Sequence, residues 1–470
     1  MADIADLDWS AGVNAGTYED IPLMPVGQAA DMGTAADGRP LINPRLLDSA
    51  EYMRNPHPYF RLMREHYPVF RDKLHNCYYV TRYDDARACA ADDLRFNTIP
   101  KGIASTVLGN TQLELSGVEH RRRRGVFDRH LAGRALQDRI HAIERLAAAM
   151  IAAWDKPQAR GVTDRGSCRT IDLGAAFCNE FPVRVVCEVL GFPEESQDQF
   201  HYWYQTMMDG FGGSATARQG LEARQDLEDF VVGLVQARRS DPTYLYDAAG
   251  NPVREDLIST LSRTRVDGDY LSTEEITSYI ALLVGGGGET TRGAIMNMWY
   301  LLLTHPDQLQ AVAADDTLWD AAFQETLRYA IPTGGLQPRH TTVDLEVCGV
   351  PIPAGSLVHI VNHSANRDER YFESPDTFNI FREDLYHGKM LRSGFMRDGR
   401  TSHLSFGAGA HFCPGAFISH QEATACSKIL MRSMRNPRLN VTRMAKDIDG
   451  VSPVPIGLGA LRELWIDFDR

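Results

Sequence analysis

Residues 403–423, HLSFGAGAHFCPGAFISHQEA, place Phe406, Gly409, His411, Cys413 and Gly415 in the spacing FxxGxHxCxG just ahead of a helix-like run. Glycines on both sides of a cysteine let the backbone come close to a flat ligand. The helix that follows points its first N–H groups back at the sulfur, and such donors favour the thiolate. A structural core thiol is the plainer reading, and it suits Cys77, Cys89, Cys168, Cys178, Cys187, Cys348 and Cys426. It leaves the glycines and His411 around Cys413 without a purpose.

The rest of the chain bounds what such a loop can belong to. With 470 residues the protein can bury a large core. A formal net charge of -13 argues against nucleic acid or an anionic membrane as the main partner, since both are polyanions. The cysteines are scattered, with no CxxC pair and no zinc spacing, as expected of core thiols in a reducing cytosol. No window approaches the roughly 18 apolar residues of a membrane span. The N-terminal residues lack the basic and apolar regions of a secretory signal. The expectation is a cytoplasmic protein with no membrane span and no nucleic-acid partner.

Residues 1–44 are rich in Gly, Ala, Asp and Pro without a sustained period, which reads as a weakly ordered or surface-wrapping arm. Residues 45–470 read as a single large domain. PHPYFRLMREHYP predicts a helix entered through Pro58, and YYVTRYDDARACAADD a strand running into a helix opened by Asp84 and Asp85. Further helical patterns follow in ELSGVEHRRRRGVFDRHL, FPVRVVCEVLGF, QFHYWYQTMMDGF and LEARQDLEDFVVGLVQARR. Alternating β-branched residues cluster late, in TTVDLEVCGVPIPAGSLVHIVNHSAN, broken by Gly349 and a Pro-Ala-Gly turn. The expected fold class is mainly α with a small, mostly C-terminal β region.

Residues 282–291, LLVGGGGETT, pose a separate problem. Their apolar approach and the run GAIMNMWYLLL after them read as one long buried helix. Each interior glycine costs a helix roughly 1 kcal/mol relative to alanine. Either something needs the missing side chains, or the segment is a loop between two helices.

A thiolate held by hydrogen bonds in an apolar niche is a haem iron ligand of the kind that favours O–O cleavage. With this loop the chain resembles the cytochrome P450 family of haem-thiolate monooxygenases. The resemblance extends to Glu325-Thr326-Leu327-Arg328, the family's ExxR, and to PRHTTVDLEVCGVPIPAG and ANRDERYFESPDTFNIFR after it. It also covers HRRRRGVF, where His120 and Arg124 take an HxxxR spacing. It runs from about residue 45 to the C-terminus. Pro414 directly after Cys413, AFISHQEA in place of a Leu-Ala-Arg run, and four glycines instead of an alanine-glycine pair depart from the family pattern.

The resemblance implies a cytochrome P450 fold holding haem b, with Cys413 as the iron ligand and Phe406, Gly409 and Gly415 shaping its loop. His120, Arg124, Arg339 and His411 take the positions that contact the haem propionates, and Glu325, Arg328 and Arg382 those of a buried structural triad. It makes the glycine segment a helix crossing the distal haem face, with Glu289 and Thr290 as an acid-alcohol pair that moves protons. Arg121, Arg122 and Arg123 are either a solvated face or a docking patch for an acidic electron donor. The pocket implied by family position includes Ile99, Ile103, Met207, Leu282, Gly286, Leu336 and Pro455. These residues point to a compact apolar substrate, such as a terpenoid, aromatic or lipid-like molecule. One oxygen atom of O2 would enter it by hydroxylation, epoxidation or oxidative demethylation. Electrons would come from a separate ferredoxin and its NAD(P)H-dependent reductase, to a monomeric enzyme. A peroxide-using haem-thiolate peroxygenase and a non-enzymatic haem sensor or carrier are the alternatives. Neither requires the Glu289–Thr290 pair.

Overall fold

A computed structural model describes residues 38–40, 42, 47–48, 52, 55–98, 108, 111–128, 131, 133–156, 159–165, 167–210, 214–241, 243, 250, 256–266, 268–387, 399–444 and 460–469. The described part is mainly α with a small β region, and contacts divide the chain into two compact units. The first comprises residues 1–99, 296–413 and 438–466; the second comprises 100–295, 414–437 and 467–470. Residues 1–37 of the expected arm lie outside the described residues, and Ile42 is already buried in a cluster with Phe60, Tyr79 and Val361.

The first unit is built on a five-stranded sheet. Strand Cys77–Val80 pairs with Val69–Asp72 on one side and with Leu357–Val361 on the other. Leu336–Thr341 and the short Phe96–Asn97 complete it. Three of these five strands precede residue 98, so the β region is not mostly C-terminal as the sequence suggested. The early strands are short, and tyrosines fill both faces of CYYV, which hides the alternation. The first hairpin turns at Asn76, with φ 51°, and is pinned by Asp72 Oδ1, which accepts from the N–H groups of Leu74 and His75 at 2.8 and 3.0 Å.

The chain leaves Cys77–Val80 directly into the helix Tyr83–Ala91, with Asp84 and Asp85 in its first turn, where the helix dipole favours acids. Tyr83, Ala86, Cys89 and Ala90 form its buried face and pack with Val358, Ile360, Leu404 and Ala408. This cluster seats the cysteine loop on the sheet. The late segment forms the hairpin Leu345–Val347 and Val350–Ile352, turned by Cys348 and Gly349 at positive φ.

The second unit is mostly helical, with the hairpin Val162–Arg165 and Cys168–Asp172 in a small sheet and a separate two-stranded hairpin, Arg265–Val266 and Asp269–Tyr270. Its helices include Gly117–Phe127, Gly133–Ala152, Phe181–Leu190, Gln197–Asp209, Ser214–Ser240, Thr273–Gly287 and Ala416–Ser433. Phe181–Leu190 stops at Gly191, whose φ of 76° and close approach to the Asp256 side chain admit only glycine.

The glycine segment is helical, with one interruption. Thr273–Gly287 starts at a capping box made by Ser272 and Glu275, and Glu289–Thr304 continues after a break at Gly288. Three of the glycines have separate packing reasons. A Cβ on Gly285 would stand 2.7 Å from Leu108 Cδ1, one on Gly287 2.7 Å from Val186 Cγ2, and one on Gly288 2.4 Å from the Tyr204 hydroxyl. A Cβ on Gly286 would meet nothing within 4 Å.

Candidate active site

In the first unit, Cys413 lies at the end of a loop held by backbone constraints. Its N–H donates to the Phe406 carbonyl at 2.9 Å, after a 3-10 turn over Gly409–His411. Gly407 and Gly409 have φ of 69° and 72°, a region open to glycine at little cost. A Cβ on Gly409 would fall 2.5 Å from the Ala91 Cα, so the loop rests against the end of the helix Tyr83–Ala91. Phe406 contacts the rings of His403 and Phe412 at centroid distances of 5.7 and 6.2 Å. His403 is buried beside Gln324, whose Oε1 is 2.9 Å from its Nε2. Burial lowers the His403 pKa to about 3, which keeps the ring neutral.

Behind the loop, Glu325, Arg328 and Arg382 come together in the core. Both Glu325 oxygens accept from Arg328, at 2.7 and 2.8 Å, and Arg382 Nε lies 3.0 Å from Glu325 Oε2. The remaining Arg328 N–H groups donate to the carbonyls of Asn366, Pro375 and Thr377. Asn379 N–H donates to Glu325 at 2.9 Å. The group ties the helix Leu318–Tyr329 to the strand-free segment that precedes the cysteine loop.

Arg339 behaves differently. It sits on the strand Leu336–Thr341 opposite Val358, is buried, and donates to the Pro338 carbonyl at 2.9 Å. Among the described residues no carboxylate forms an ion pair with it within 4 Å. Burial lowers its pKa to about 10, with only the charge of Asp93 opposing. Leu336, expected in the substrate pocket, is partly buried against the cluster of Phe70, Tyr79 and Val361.

In the second unit, His120 and Arg124 are buried on one face of the helix Gly117–Phe127. Arg124 Nε donates to Asp128 Oδ1 at 2.5 Å, an i,i+4 pair that fixes its guanidinium. Arg122 and Arg123 pair with Glu119 at 3.2 and 2.9 Å, while Arg121 is exposed. Met207 and Leu282 are buried, and Gly286 is exposed. Ile99, Ile103 and Pro455 lie outside the described residues. Gly415 forms the N-cap of the helix Ala416–Ser433.

At the break in the glycine helix, the Thr290 hydroxyl donates to the Gly286 carbonyl at 2.6 Å. Glu289, with a side chain 52% exposed, accepts from Arg292 at 2.5 and 3.0 Å. Sequence reasoning did not single out Arg292, although a lone base three residues beyond an acid in an apolar run is a readable signal. Tyr204, Leu108 and Val186, which explain three of the glycines, carry no such signal, because their meeting with the helix is set by tertiary packing.

Cytochrome P450 is the family whose profile matches, over residues 43–436. The chain is 30% identical to pulcherriminic acid synthase of Bacillus subtilis over 83% of its length and 91% of that protein. It is 30% identical to cytochrome P450 monooxygenase PikC of Streptomyces venezuelae over 88% of its length and 92% of that protein. Its fold matches the structure of cytochrome P450 CYP109Q5 from Chondromyces apiculatus with a TM-score of 0.72 and 26% identity. That match spans 90% of this chain and 97% of the other.

Fold and comparisons together define a haem-thiolate oxidoreductase of the monooxygenase class. The chain belongs to the cytochrome P450 family, whose members bind haem b through a cysteine thiolate. The residues present fit that cofactor. Arg339 is a buried cation in need of an anion, and a propionate is one. The glycines at 407 and 409 hold the backbone of the cysteine loop in conformations that residues with a side chain adopt only at a cost. Among the described residues no helix is long and apolar enough to cross a membrane.

Proposed function

We propose that the protein inserts one oxygen atom of O2 into a compact apolar substrate, with Cys413 as the haem ligand and Glu289 and Thr290 supplying protons. The observation that carries this reading is the break in the glycine helix at Gly288, directly ahead of a half-exposed glutamate and of a threonine whose hydroxyl bonds back across the break. When bound, haem b supplies oxygen activation, and the protein supplies ligand, protons and orientation. Arg339, His411, His120 and Arg124 are the groups for the propionates.

Glu289 reaches solvent, so it can exchange protons with water, and Arg292 holds it in one orientation. Adjacent residues on a helix do not face one another, so protons pass from Glu289 to Thr290 through water. The Thr290 hydroxyl donates to Gly286 and still has lone pairs to accept a hydrogen bond. Rotation about the Cβ–Oγ1 bond redirects its proton. Buried Met207 and Leu282 support an apolar substrate. In this reading a separate ferredoxin and its reductase are the electron source, the redox partner that a protein of this family needs.

The ferrous carbonyl form should show the red-shifted Soret band of thiolate ligation, and Cys413→Ala should abolish it. Retention of the band in that variant would assign the ligand elsewhere. A compound library screened for the low-spin to high-spin Soret shift would identify the substrate class. Hits confined to charged, polar molecules would overturn the apolar reading.

A further inference from the structure

The break in the glycine helix contains a wedge contributed by another element. Tyr204, on the helix Gln197–Asp209, is 5% exposed, and its phenol fills the place of a side chain at residue 288. A Cβ on Gly288 would come within 2.4 Å of both Cζ and Oη. The hydroxyl lies beside the Glu289 N–H and in the field of the Glu289 carboxylate and the Arg292 guanidinium. It forms no hydrogen bond of normal geometry with a described residue. A buried hydroxyl in that condition is uncommon and costly. Its surroundings are polar. The second helix opens at Glu289 with N–H groups that have no carbonyl one turn back in a continuous helix, and the Thr290 hydroxyl spans the break to the Gly286 carbonyl.

We propose that Tyr204 is a positioning residue for proton delivery, its hydroxyl helping to hold a water molecule in the helix break between the Glu289 carboxylate and the Thr290 hydroxyl. This rests on the assignment of Glu289 and Thr290 to proton supply. A site with a phenol, helix N–H groups and a carboxylate offers a water the several polar partners it needs. The relay has no net chemistry. A proton taken up by Glu289 passes to the water, a water proton passes to the Thr290 hydroxyl, and Thr290 releases its own, so each member ends as it began. Tyr204 does not ionise in this scheme. Burial, and then the Glu289 charge, hold its phenol protonated far above the usual range.

Tyr204→Phe keeps the ring in the break and removes only the hydroxyl. The assay is NADH oxidation with a plant-type ferredoxin and its reductase and no organic substrate. There oxygen leaves as hydrogen peroxide, taking two electrons and two protons, or as water, taking four of each. Tyr204→Phe should raise the peroxide-to-water ratio about fivefold, the effect of one hydrogen bond on a rate. The solvent deuterium isotope effect on water formation should change with it. Thr290→Ala, run alongside, separates the claims. If it leaves the ratio unchanged, the proton-supply reading fails. If it shifts the ratio while Tyr204→Phe does not, the role of Tyr204 is overturned. Thermal unfolding provides a readout without turnover: Gly288→Ala should lower Tm in the Tyr204 protein and cost clearly less alongside Tyr204→Ala. Equal losses in both backgrounds would show that the phenol is not the wedge.

Discussion

Glu325 and Glu422 are both fully buried carboxyls, and the protein treats them in opposite ways. Glu325 is surrounded by two arginines and a backbone N–H, so removing it would strand buried cations at a cost of about 3–5 kcal/mol. Glu422, on the helix Ala416–Ser433, is 3% exposed, and its Oε2 has no hydrogen-bond partner among the described residues. Burial raises its pKa well above the usual carboxyl range. The sign follows from proton counting. Above the unfolded carboxyl pKa the folded state holds a proton that the unfolded chain has lost, so this group's contribution to stability falls as pH rises. Glu422→Gln keeps the shape and never ionises. It should leave Tm unchanged near pH 4 and raise it at pH 8 by roughly 1–3 °C, a gain of about 1 kcal/mol or more. Equal Tm values across that range would show that Glu422 is ionised in the folded protein. His403 gives the opposite slope: its pKa of about 3 in the fold contributes stability above the unfolded histidine pKa, which is lost as pH falls toward 3.

At the scale of the element, the glycine helix shows why a run of four identical residues need not have one cause. Gly285 and Gly287 yield space to the side chains of Leu108 and Val186, Gly288 yields to Tyr204, and Gly286 faces open space. An alanine at 286 therefore meets no neighbour and should recover helix propensity, about 0.8–1 kcal/mol. Alanine at 285 or 287 should stabilise less or destabilise, since a methyl-bearing neighbour must move. The four single variants, compared by chemical denaturation, should place Gly286→Ala as most stable. A ranking with Gly285→Ala above it would mean that Leu108 yields freely and that the spacing is not tight. Gly286→Ala should also weaken binding of bulky substrates, because the space it fills lies beside the carbonyl that accepts from Thr290.

Across the whole molecule, the mainly α fold with a small β region was legible because long amphipathic helices carry a strong local period. The early strands were harder to read, since CYYV is short and buried on both faces, and one of its two partners, Leu357–Val361, lies nearly 300 residues later. The cysteine loop was legible because glycine positions and cysteine spacing are local, whereas Tyr204 at Gly288 depends on a contact made only in three dimensions. Charge is the remaining property of the whole chain with a functional consequence. A protein of net charge -13 repels an acidic ferredoxin at long range, so productive encounter needs a local basic surface. Of the arginines at 121–123, Arg121 and Arg122 are exposed, and Arg122 and Arg123 pair with Glu119. Arg121→Glu should slow reduction by an acidic ferredoxin several-fold at low ionic strength and have little effect near 0.5 M salt, where screening acts over only a few ångströms. The same change at Arg122, which is also exposed, should slow reduction at low salt as well. Stopped-flow reduction rates across a salt series measure both. Equal rates for Arg121→Glu and the parent at low salt would make this helix face a solvated surface and move electron entry elsewhere.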